Sequence, residues 1–102
     1  MVLSLIPVKP ELVTVPESTV FLAGGSAILN CVARGFPEPN ITWHKDGNQI
    51  GVEEGGHIHV LENGSLYFER VMMTDGGVYY CMATNELGFD DSDGAMVMVD
   101  GE

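Results

Sequence analysis

Apolar and polar residues alternate along most of this chain, and turn formers interrupt the alternation every few residues. "ELVTV" stops at Pro16, "STVFLA" at Gly24-Gly25, and "SAILNCVA" runs into "RGFPEPN". "ITWHK" meets Asp46-Gly47, "HIHVL" meets Asn63-Gly64, and "SLYFERV" meets Thr74-Asp75-Gly76. "VYYCMAT" then meets "NELG", and "AMVMV" comes last. Each run has the length and the β-branched or aromatic content of a strand. No window of helical length carries a 3.6-residue apolar period. Many short strands with regular turns predict an all-β sandwich or barrel. Asn63-Gly64 is the strongest local hairpin signal, on the expectation that both residues take positive φ. The stretch around "NQI" reads as a further strand or as loop.

Alternation also assigns faces, because successive strand side chains point to opposite sides. Ala27, Leu29, Cys31 and Ala33 share one row, as do Ile41 and Trp43. Leu66 and Phe68 form another, with Val71 past a register change, and Tyr79, Cys81 and Ala83 form a fourth. Both cysteines of the chain therefore sit mid-strand on core-facing rows, 50 positions apart. Across a sandwich core two such residues can meet. Trp43 lies between them in sequence and brings a large apolar surface to bury.

These linked features resemble an immunoglobulin domain: Cys31, Trp43 and Asp75-x-Gly77-x-Tyr79-x-Cys81. "GFPEPNITWHKDG", "ATNELG" and "NGSLYF", the last with Leu66 in a core slot, are similar to the intermediate-set (I-set) branch. The resemblance covers residues 10–100, leaving 1–9 as a lead-in and 101–102 as a tail. It implies an immunoglobulin-like Greek-key β-sandwich of two antiparallel sheets, A-B-E-D and A′-G-F-C. It implies a Cys31–Cys81 disulfide, and a tyrosine corner in which the Tyr79 hydroxyl bonds nearby backbone. The family's Asp before that corner often pairs with a basic residue near strand D. Here that region offers His57 and His59, and Arg70 is a second candidate partner for Asp75.

Composition narrows the function. The chain of 102 residues fits one domain, with 45% hydrophobic and 19% charged residues. Its formal charge is −11, from 15 acidic and 4 basic side chains. That surface disfavours nucleic acid and anionic membranes, and suits a basic protein partner. No apolar stretch is long enough to span a bilayer. "MVLSLIP" is too short for a secretory signal and lacks a cleavage site, so a secreted domain would be a piece of a longer precursor.

Candidate chemistry is sparse, and the sequence points to no catalytic group, metal or cofactor. His57-x-His59 would place two imidazoles on one strand face without a third ligand at recognisable spacing. "DDSDG" at 90–94 lacks the spacing of a calcium loop and reads as a solvated turn entering the last strand. Two N-x-S/T sequons begin at Asn40 and Asn63, and both are glycosylation candidates, with Asn40 preferred. On the outward rows, Val78, Tyr80 and Met82 should lie beside Met96 and Met98 as one exposed apolar patch, a candidate interface. The reading is a non-catalytic protein-interaction module of an extracellular receptor, adhesion or matrix protein, with self-association through this face as one use. The alternative is a cytoplasmic module like those of titin, with its cysteines reduced.

Overall fold

A computed structural model describes residues 6–51 and 56–101. The lead-in at 1–5 and the final residue of the tail fall outside them. Among the described residues eleven strands follow in chain order: β1 Val8–Thr14, β2 Thr19–Leu22, β3 Ala27–Leu29, β4 Val32–Phe36, β5 Asn40–Lys45 and β6 Asn48–Gln49. Then come β7 Ile58–Val60, β8 Leu66–Phe68, β9 Gly77–Asn85, β10 Gly88–Asp91 and β11 Ala95–Asp100, with one 3₁₀ turn at Met73–Asp75 before β9. The first strand begins at Val8, which pairs with Phe36, so the ordered fold starts before Pro10.

The strands form two layers. One runs β2-β11-β9-β5-β6, with β10 on the far end of β9. The other joins β1 to β4 and β3 to β8 and β7, where β3 and β4 are successive halves of one run. Pro16, which has no N–H to give a ladder, lies where the chain leaves the β1–β4 pair and crosses to β2. There it pairs in parallel with β11, while the other pairings are antiparallel. This is the A-B-E-D and A′-G-F-C arrangement, with β6 added as a short sixth member of the second sheet.

The core holds the two layers together. Cys31 and Cys81 form a disulfide with Cα atoms 6.6 Å apart. Beside it Trp43 is buried, and its Nε1–H donates to the Gly64 carbonyl at 2.8 Å, so the indole leaves no polar atom unsatisfied. Phe68 meets Tyr79 edge-on at 5.9 Å and Phe21 at 5.6 Å. Leu29, Leu66, Val71 and Val97 fill the rest. Closing so long a loop in the unfolded chain is worth about 4 kcal/mol on the chain-entropy account. Against a net stability of roughly 5–15 kcal/mol, that is a large share.

Two turns differ from expectation. The positive-φ pair is at Asp46 (φ 51°) and Gly47 (φ 88°), which join β5 to β6 through a two-residue loop. At Asn63-Gly64 only Gly64 has positive φ (101°), and residues 62–64 make the loop. Gly64 N–H donates to the Leu61 carbonyl and Leu61 N–H to the Ser65 carbonyl, the pattern of a turn closed by a glycine bulge. The reason lies behind the turn. A Cβ on Gly64 would stand 2.8 Å from Ile41 Cγ1 and 2.9 Å from the Cys31 carbonyl oxygen, so the core presses directly on this backbone. "DDSDG" also differs: Asp90 and Asp91 belong to β10 and pair with Ala83 and Met82. The strand breaks only at Ser92, whose Oγ accepts the Cys81 N–H at 3.0 Å.

Candidate protein-binding face

The bend before β9 fixes the start of the central strand. The Tyr79 hydroxyl donates to the Asp75 carbonyl, closing the corner. Burial, then the nearby carboxylates of Asp75 and Asp46, push this phenol above its ordinary range. The Asp75 carboxylate is itself buried. It accepts the Met72 N–H at 2.7 Å and faces His57 Nε2, 3.0 Å from both its oxygens. His57 is therefore the partner of Asp75. His59 instead meets Glu69 at 2.9 Å, and Arg70 is exposed. The two imidazoles reach different carboxylates, an arrangement unlike a shared metal site.

Gly77 is needed for close approach. A Cβ there would fall 2.8 Å from an Asp46 oxygen and 2.9 Å from Lys45 Cε. Both side chains use that space: Asp46 Oδ1 accepts the Val78 N–H at 2.9 Å, and Lys45 Nζ donates to the Thr74 carbonyl. The β5–β6 turn is thus sewn to the start of β9. The result is a stiff platform beneath the outward rows.

On those rows Val78 stands opposite Met96, and Met98 opposite Val20. Leu22 stands opposite Asp100 at the end of the same parallel pair. Val20, Leu22, Met96 and Met98 are each more than half exposed, and Val78 is 40% exposed. The apolar patch is thus carried by three adjacent strands, β2, β11 and β9. Tyr80 and Met82 keep to the outward row with Val78 but are less exposed than it is. Tyr80 is half-buried and stacks flat on His44, with centroids 4.6 Å apart. Met82, also half-buried, lies between Thr42 and Asp91. Val20 and Leu22 extend the patch on the other side of β11. Alternation in "STVFLA" already put this pair opposite Phe21, but only the parallel register on β11 sets them beside the methionines.

Asp100 borders the patch, and Asp91 lies further along the face. Two of the four cations are engaged elsewhere: Arg34 pairs with Glu11 on the other sheet, and Lys45 reaches Thr74, while the exposed Arg70 lines a hollow with Ala23 and Gly24 just past Leu22. Asn40 and Asn63 line one groove with Glu38, Ile41, Leu61 and Glu62, between the start of β5 and the β7–β8 turn.

Two layers linked by a buried disulfide beside a tryptophan, with a tyrosine corner, define an immunoglobulin-type sandwich. A family profile for the immunoglobulin domain matches residues 9–85, and the chain belongs to that family. It is 45% identical over 85 residues to human hemicentin-1, spanning 81% of this chain and 2% of the relative. It is 37% identical over 94 residues to the human cell adhesion molecule DSCAM, spanning 86% of this chain and 5% of the relative. A solved titin–obscurin-like 1 Ig complex contains a chain with TM-score 0.82 and 30% identity, covering 93% of this chain and 97% of that one. The chain thus spans a few per cent of the curated relatives it matches. Among the described residues, no helix is long and apolar enough to cross a membrane.

Proposed function

We propose that this chain is a non-catalytic, I-set protein-binding module of a longer extracellular adhesion, receptor or matrix protein. Its docking surface is the Val20–Leu22–Val78–Met96–Met98 end of the β2-β11-β9 face. The observation that carries this reading is a contiguous exposed apolar patch on a cross-linked sheet, with Asp100 opposite Leu22 at its edge. Apolar surface of that kind is left in water at a cost unless a partner covers it. Methionine adapts its shape to a partner more readily than branched residues do. The acidic surroundings favour a partner whose rim is basic, and such binding weakens as salt screens it.

The disulfide and the two sequons support an extracellular setting, as does the similarity to hemicentin-1 and DSCAM. The likeness to a titin complex supports the cytoplasmic alternative, in which the same two residues stay as thiols. Self-association is a second use of the same patch, favoured by its uncharged centre. Salt separates the two. Two copies at −11 repel, so a homodimer tightens with salt, whereas a complex with a basic partner loosens. The test is an array of purified receptor and matrix ectodomains probed with the tetramerised domain, alongside sedimentation velocity at low and high salt. The reading requires a saturable interaction that Met96→Lys/Met98→Lys abolishes. Binding indifferent to that double substitution would remove it.

A further inference from the structure

The two sequons are chemically alike but sit in different folding environments. Asn63-Gly64-Ser65 belongs to a turn closed by contiguous residues. Asn63 Oδ1 accepts the Ser65 N–H at 2.9 Å, and Ser65 Oγ takes the Cys31 N–H at 3.1 Å, with Ser65 fully buried. Asn40-Ile41-Thr42 opens β5, where Asn40, like Asn63, is exposed. Its ladder partner is Thr84, 44 positions later in the chain. Glycan transfer acts on the chain as it enters the secretory lumen. A local turn closes within about 10 μs, but 44 residues take roughly 2–9 s to synthesise at about 5–20 residues per second. Asn40 therefore lacks its ladder partner for seconds, whereas the turn that engages Asn63 needs only residues 61–65.

We infer that Asn40 carries an N-linked glycan and Asn63 does not, an inference resting on the extracellular reading above. Ile41 packs on the core, so alternation points Asn40 outward on the same face as the apolar patch. In the ladder it lies in a row with Thr84 and Phe89. Val78 lies six residues from Thr84 along β9, about 20 Å away at strand rise. A bulky glycan at Asn40 covers the Thr84–Phe89 end and leaves the Val78–Met96–Met98 end open to a partner.

The test is secretion of the domain from human cells behind a cleavable signal, with intact mass measured before and after peptide-N-glycosidase treatment. Wild type and Asn63→Gln should each lose one glycan's mass, and Asn40→Gln should lose none. Thr42→Val should behave as Asn40→Gln, and Thr42→Ser should keep the glycan. Hydroxyl-radical footprinting should show Phe89 protected in the glycosylated form and Met96 and Met98 oxidised equally in both forms. A secreted, disulfide-bonded domain with no glycan, or with one that survives Asn40→Gln, would overturn the inference and leave the extracellular reading standing. Shielding of Met96 and Met98 would overturn the placement. Retention in the cell with free thiols would instead count against the extracellular reading itself.

Discussion

The two outward faces of the sandwich obey the same alternation but use it differently. On the β1-β4/β3-β8-β7 side, Arg34 pairs with Glu11, and His59 both bonds Glu69 and lies over Tyr67. Charge meets charge there, although Val8, Val13, Ile28 and Val60 on these strands are exposed too. On the β2-β11-β9 side, Val20, Leu22, Val78, Met96 and Met98 stand in water beside Asp100. The core beneath is common to both, so stability does not explain the difference. The two faces thus differ in how their charges are paired and in the run of apolar residues across three adjacent strands, not in whether they expose apolar side chains.

The comparison breaks most severely if the common core is cut. Replacing both Cys31 and Cys81 with Ala should remove about 4 kcal/mol from the free energy of unfolding in denaturant titrations, by freeing the unfolded chain. Both faces would then loosen together. Next in size is Asp75→Asn, which leaves Met72 N–H and His57 facing an uncharged amide in a buried site. A loss of roughly 1–3 kcal/mol is expected, read from the same titrations.

Tyr79→Phe should cost about 1 kcal/mol for the corner hydrogen bond. It also has a pH signature. The folded phenol ionises above its ordinary value, so the folded state binds the proton more tightly than the unfolded chain does. Its contribution is complete below the ordinary phenol range near pH 10 and is lost as pH climbs above it. Unfolding midpoints should therefore fall on the alkaline side in wild type, and fall less in Tyr79→Phe. Smaller is the effect of Arg34→Ala on the ion-paired face, where an exposed ion pair contributes about 0–1 kcal/mol. Met96→Lys/Met98→Lys should likewise shift stability by no more than about 0.5 kcal/mol.

Much of this fold was legible because alternation, turn residues and the Cys–Trp–Tyr–Cys set all pointed one way. What escaped was set by contacts between distant segments. Asp46-Gly47 and Asn63-Gly64 are near-equivalent as dipeptides. Only the second is pressed against Ile41 and Cys31, and that pressure selects a different turn. Asp75 had three candidate cations in the sequence, and His57 was settled by where β7 lies against the 3₁₀ turn. The outward rows gave Val78, Met96 and Met98. Val20 and Leu22 needed the register of a parallel pair, which no local pattern encodes. Ser65 went unnoticed as a core residue, since its hydroxyl matters only where the β3–β4 run breaks at Cys31.

The most direct measurement is to pass Met96→Lys/Met98→Lys and wild type over the same ectodomain array while following their denaturant midpoints. The expected result is unchanged folding with binding lost. Binding that survives, or a domain that unfolds earlier in step with its loss, would mean that the methionine face belongs to the scaffold and that partners dock elsewhere.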